Sequence, residues 1–281
     1  MGIQSTLVGL GGDIWASKRM LAIWPWPAVL VGKHSNAISG DDYRCFCRLL
    51  EPGDFLLTNC SSYFLSNFFI AKRNGTAFSH LAVYSGPVLG RRSDDTGFIL
   101  KASPWLRVPG ESADGPGRFK RTITHAISEG VVVEDLFDLF KHVDWVVAVR
   151  AWETKEQAAA IVKAGLGQVG LEYNFDFKPG GNPSSYCTEL GAFCLKAAGI
   201  EEPEKRAAIT SLAGIIIPAK GFKTSVYLAD DYLVKFRAIC CSMSCGDPDF
   251  SRRGKGKGFR KKLLEAPDAS TFSLPNSARG E

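Results

Sequence analysis

The sequence lacks the short signatures that most readily announce an enzyme. It holds no Gly-x-Ser-x-Gly elbow, no Walker loop and no internal repeat, which excludes a serine nucleophile of that type, P-loop phosphate chemistry and a solenoid. Long apolar runs are missing too: Met20 to Val31 is hydrophobic and rich in Trp, but it is short, broken by Pro25 and Pro27, and unable to span a bilayer. It reads as an interfacial segment or as cover for the body of the fold. No secretory signal is evident, so the expected setting is cytoplasmic or virion-associated. Met1-Gly2-Ile3-Gln4-Ser5-Thr6 fits the myristoylation pattern, which has meaning only where a eukaryotic cell makes the protein.

The eight cysteines (45, 47, 60, 187, 194, 240, 241 and 245) include an adjacent pair, an awkward arrangement for a disulfide framework, and they read as mostly reduced thiols. Neither Cys45-x-Cys47 nor Cys240-Cys241-x3-Cys245 finds a second CxxC or an HxxxH, so no metal or cofactor is expected. Net charge is also small in the body. Of the net +5, residues 247–281 carry +3 (eight Lys or Arg against five Asp or Glu), leaving +2 for the rest. That excludes a dedicated nucleic-acid surface on the body. The basic tail is either a solubilising appendage or a contact for an acidic surface. Gly165-Leu166-Gly167-Gln168-Val169-Gly170 satisfies the dinucleotide pattern, but it follows a helix opened by the capping box Thr154 to Gln157 and reads as that helix's end.

What the chain does have is a thiol at a helix start. Tyr186-Cys187-Thr188-Glu189-Leu190 follows a Gly, Asn, Pro and Ser loop; Ser184 or Ser185 is the expected cap, and Leu190, Phe193, Cys194 and Ala197 are the expected inward face until Gly199. The helix dipole would stabilise a thiolate at Cys187. The other reading is a small hydrophobe packed at a helix start. Upstream, Phe78 to Gly86 reads as a strand with His80, Ala82 and Tyr84 on one face, and Thr122 to Ile127 as another in which His125 points toward the core. A thiol needs a base, and the base needs an orienting partner.

On these pieces the chain resembles the circularly permuted NlpC-type papain-like thiol hydrolases, in which Cys comes last. The pieces are Leu50-Glu51-Pro52-Gly53-Asp54-Phe55, Ser79-His80-Leu81-Ala82-Val83-Tyr84, Thr124-His125-Ala126 before Glu129-Gly130-Val131, Tyr173-Asn174-Phe175-Asp176-Phe177 and Tyr186-Cys187-Thr188-Glu189-Leu190. The likeness covers about residues 49 to 236. It implies Cys187 as nucleophile, His80 as general base, His125 as the third residue and Tyr173 as support for an oxyanion hole, with packing as the other role of Tyr173. Lys101 is the rival for the third position, but lysine only donates and would orient an imidazole poorly. The implied substrate is an amide, peptide or isopeptide, such as those of cell-wall peptides. A lipid ester hydrolase or acyltransferase of the lecithin:retinol acyltransferase-like type is the alternative, weakened by the absence of an Asn-Cys-Glu-His motif. A non-catalytic scaffold on the same fold is the third reading.

The expected fold is α+β, a papain-like core in permuted order whose antiparallel sheet packs against the Cys187 helix. Residues 1–48 form an N-terminal extension, 49–245 the catalytic domain with an insertion at 87–121, and 246–281 a disordered tail. Strands are expected at 54–58, 78–85, 122–127, 131–134, 144–150 and 233–239, with helices over 62–72 and from Lys155.

Overall fold

The computed structural model describes residues 38–59, 76–92, 98–100, 118–127, 129–174, 184–209 and 223–242. The strands are β1 (Phe55–Asn59), β2 (His80–Leu89), β3 (Arg91–Arg92), β4 (Ile99–Leu100), β5 (Arg118–Ile127), β6 (Gly130–Asp135), β7 (Trp145–Arg150), β8 (Glu172–Tyr173), β9 (Ser184–Ser185), β10 (Arg206–Ile209), β11 (Lys223–Val226) and β12 (Arg237–Cys241). The helices are α1 (Gly40–Leu49), α2 (Leu136–Phe140), α3 (Lys155–Gly167), α4 (Cys187–Ala197) and α5 (Ala229–Lys235). Eight strands form one antiparallel sheet in the order β12-β7-β1-β2-β5-β6-β4-β3.

Helices cover both faces, and the strands alternate between them. Phe55, Leu57, Leu81, Val83, Val147 and Val149 point to one face, where Ile161 of α3, Leu190 and Cys194 of α4 and Tyr232 of α5 complete the core. Leu56, Ala82, Tyr84, Ile123, Val146 and Ala148 point to the other, against Phe46 of α1 and Leu136, Leu139 and Phe140 of α2. With both faces covered, the central strands read as apolar runs more than as half-polar ones.

The Glu51 to Asp54 corner is held by charge. Arg150 donates through Nε to Asp54 at 2.8 Å and through a terminal nitrogen to Glu51 at 2.8 Å, while the Trp152 indole donates to Asp54 at 3.1 Å. Gly53 has φ +96°, and a Cβ there would meet the Ala158 backbone at 2.9 Å, so both conformation and space require glycine.

Several sequence expectations need correction. Residues 233–235 belong to α5, and the closing strand starts only at Arg237. Ser39 and Asp42 make a capping box that opens α1 inside the stretch the sequence leaves unassigned. β2 runs on to Leu89 and β5 begins at Arg118, so strands enter both ends of the expected insertion. The helix expected over 62–72 and the tail lie outside the described residues. The Thr154 to Gln157 capping box and the helix after it form as expected, with Gln168 as the C-cap.

Candidate active site

The Cys187 helix starts without a side-chain cap. Its N-cap is Tyr186, not Ser184 or Ser185, because those serines form β9 in a parallel pairing with Glu172 and Tyr173. The inward face is also rotated. Cys187, Thr188, Leu190, Gly191, Cys194 and Leu195 are buried, whereas Phe193 is 45% exposed and Ala197 faces solvent. Gly191 explains the rotation: its missing side chain lets the helix approach Leu81 and Tyr232, which a Cβ would meet at 2.9 and 2.8 Å. Tyr232 in turn donates from Oη to the Thr188 carbonyl at 2.7 Å, and Thr188 Oγ1 donates to the Tyr227 carbonyl at 2.8 Å, so the first turn is held from two sides. Gly199, at φ +69°, follows the helix end at Ala198.

The Cys187 thiol is 5% exposed. Burial pushes it up to about 11, while main-chain N–H groups of Leu81, Thr188 and Cys187 itself donate to the sulfur and pull the other way. This corrects the expectation of a resting thiolate: desolvation outweighs the helix start. The Leu81 contact is informative about place. The β2–β5 register runs from Ala82↔His125 to Leu89↔Arg118, so His80 and Leu81 lie just past its end, where the thiol takes up the Leu81 N–H.

His80 and His125 meet directly. Nε2 of His80 lies 3.1 Å from Nδ1 of His125, with the rings edge to face at 68° and a centroid separation of 5.2 Å. His80 is partly exposed and His125 only 1% exposed. Their 45-residue separation in sequence closes up because β2 and β5 are neighbours. By register both share a parity with Ala82 and Tyr84, on the face away from α4, so thiol and imidazole would meet around the end of β2 and not across the sheet.

Sequence reading missed a third member of this line. Oε2 of Glu134 on β6 lies 3.4 Å from Nε2 of His125, and both side chains are buried. The signal was present: Gly130 at φ +101° closes a tight β5–β6 hairpin with register His125↔Val132 and Ile123↔Glu134, which puts Glu134 on the same face as His125.

Tyr173 is partly buried and pairs with Ser185 ahead of the Cys187 helix. Its phenol is held well above the usual tyrosine value, first by burial and next by its proximity to Cys187. It therefore stays a hydrogen-bond donor beside the thiol. Lys101 and Asp176 lie outside the described residues.

Residues 49–213 match the model of the permuted papain-like amidase enzymes, the YaeF/YiiX, C92 family. The chain belongs to that family. The permuted papain-like region takes in His80, His125, Glu134, Tyr173 and Cys187 together. A solved structure, the metalloprotein YiiX from Escherichia coli O157:H7, is similar at 13% identity and a TM-score of 0.45, over 68% of this chain and 97% of that one. No curated protein matches. Among the described residues of this permuted papain-like chain, no helix is long and apolar enough to cross a membrane, and no group of three His, Cys, Asp or Glu could hold a metal ion.

Proposed function

We propose that the protein is a cysteine-dependent amidase in which Cys187 attacks a carbonyl carbon and His80 is its general base. The observation that carries this reading is the His80–His125 contact at 3.1 Å, beside a thiol seated on the N–H of the residue that follows His80. Because His80 uses Nε2 toward His125, Nδ1 is the nitrogen that would serve the sulfur. The resting thiol is neutral, so His80 removes its proton as the S–C bond forms, instead of holding a preformed ion pair. The proton on Nδ1 then passes to the leaving amine as the C–N bond breaks, and water resolves the thioester. Backbone N–H of Cys187 and the protonated Tyr173 phenol are the donors available to the oxyanion.

Family membership supports an amide over a lipid ester, and peptides or isopeptides such as those of cell walls are the proposed substrates. The test is product analysis with cell-wall peptides and phospholipids side by side. Amine release that disappears in Cys187→Ala supports the reading; fatty-acid release with no amine product transfers the site to lipid chemistry.

A further inference from the structure

We propose that Glu134 is a positioning residue that fixes the tautomers of both histidines and so makes Nδ1 of His80 the proton acceptor; this rests on the assignment of His80 and Cys187 above. An ionised carboxylate can only accept. Oε2 of Glu134 faces Nε2 of His125 at 3.4 Å, an ion-pair distance longer than a formed hydrogen bond, and a negative oxygen there favours the tautomer with the hydrogen on Nε2. In a neutral imidazole the other nitrogen is then an acceptor, so Nδ1 of His125 accepts. His80 Nε2, at 3.1 Å, must donate to it. That leaves the lone pair of His80 on Nδ1.

Two imidazoles alone would not choose. His125 could equally donate from Nδ1 to His80 Nε2, which would put the His80 hydrogen on Nδ1, where it cannot receive the thiol proton. The carboxylate removes this alternative through two rings. It also balances the charge: when the S–H bond breaks and Nδ1–H forms, the new imidazolium lies at the end of a line that closes on a negative group, and no further proton has to move. The placement is built into the hairpin, since the β5–β6 register sets His125 and Glu134 diagonally on one face.

The experiment is long-range 1H–15N correlation spectroscopy of the full chain labelled at histidine, at a pH where imidazoles are neutral, with His80→Asn and His125→Asn used for assignment. The expected result is the Nε2–H form at both His80 and His125, with Glu134→Gln losing the single Nε2–H form at His125, because an amide can donate as well as accept. In the same variant kcat/KM should fall at least about tenfold, as a base held in the wrong tautomer loses far more than its packing. A wild-type His125 in the Nδ1–H form, or unchanged spectra in Glu134→Gln, would overturn the proposal. Should the variant fail to fold, the wild-type spectrum alone decides. Expected tautomers together with undiminished turnover in Cys187→Ala would leave Glu134 in place and bring down the hydrolase reading instead.

Discussion

At the level of single residues the candidate site is a pair of histidines with a carboxylate behind them and a buried thiol on the N–H of Leu81, the residue after His80, and each member is defined by what its neighbours allow. His125 is asked only to accept from His80 Nε2–H. A side-chain amide oxygen can do that and a methyl cannot, so His125→Asn should retain well over ten times the kcat/KM of His125→Ala, measured on the same amide substrate. Equal losses in both variants would remove His125 from the orienting role. The thiol makes a second prediction. Since burial lifts Cys187 to about 11, alkylation of the native protein by iodoacetamide should be slow at neutral pH. Its rate should climb about tenfold per pH unit between roughly pH 8 and 10, as the thiolate fraction does. A rate already flat at pH 7 would mean that the anion is formed at rest. The residue types and their order were legible in the sequence, as was the inward turn of His125. Glu134 was legible in principle, through the hairpin parity around Gly130. The thiol's elevated value was not, because it depends on how deeply the helix start is covered.

The element that decides the site is α4. Its position depends on Gly191, where the helix comes close enough to Leu81 on β2 and Tyr232 on α5 that a Cβ would meet both. In an exposed helix, Gly to Ala would gain about 1 kcal/mol. Here the added methyl would meet Tyr232 Oη at 2.8 Å, and that hydroxyl is fixed by its bond to the Thr188 carbonyl. Overpacking of this kind costs about 1–3 kcal/mol, so Gly191→Ala should be net destabilising in urea unfolding, with turnover reduced because Cys187 moves with the helix. A stabilised variant would show that α4 is not closely seated. The elements that could be read from sequence were those whose signal is local: the Thr154 to Gln157 capping box, the apolar strand runs of β1 and β7, and the alternation around His80 in β2. The misread ones answer to distant partners. Ser184 and Ser185 are taken by β8 before they can cap α4, and Leu233 to Lys235 stay helical because Tyr232 and Asp230 are anchored elsewhere in the fold.

Over the whole molecule, the C-terminal part of the described chain holds the segment that delivers His80. Asp230 accepts from the Ala77 N–H at 2.9 Å and the Phe78 N–H at 2.9 Å, two to three residues before His80. Burial raises its carboxyl from 3.8 to about 6 despite those bonds. The folded state therefore holds this proton more tightly than the unfolded chain does, so the group's contribution to stability is greatest at low pH and is lost as pH rises through the window from 3.8 to about 6. Melting temperatures should show it: the difference Asp230→Asn minus wild type should become more positive between pH 4 and pH 7. A difference that is constant, or that moves the other way, would place the titration elsewhere. The sheet, the helices on both its faces and the family all serve one claim, that Cys187 is acylated with the help of His80. The most direct measurement is mass mapping of the full chain after exposure to a peptide-derived activated acyl ester. The account predicts a single acyl adduct on Cys187, absent in Cys187→Ala and formed at least about a hundredfold more slowly in His80→Ala. Adducts that appear first on Cys45, Cys47 or Cys240, or a His80→Ala protein acylated at the wild-type rate, would contradict it.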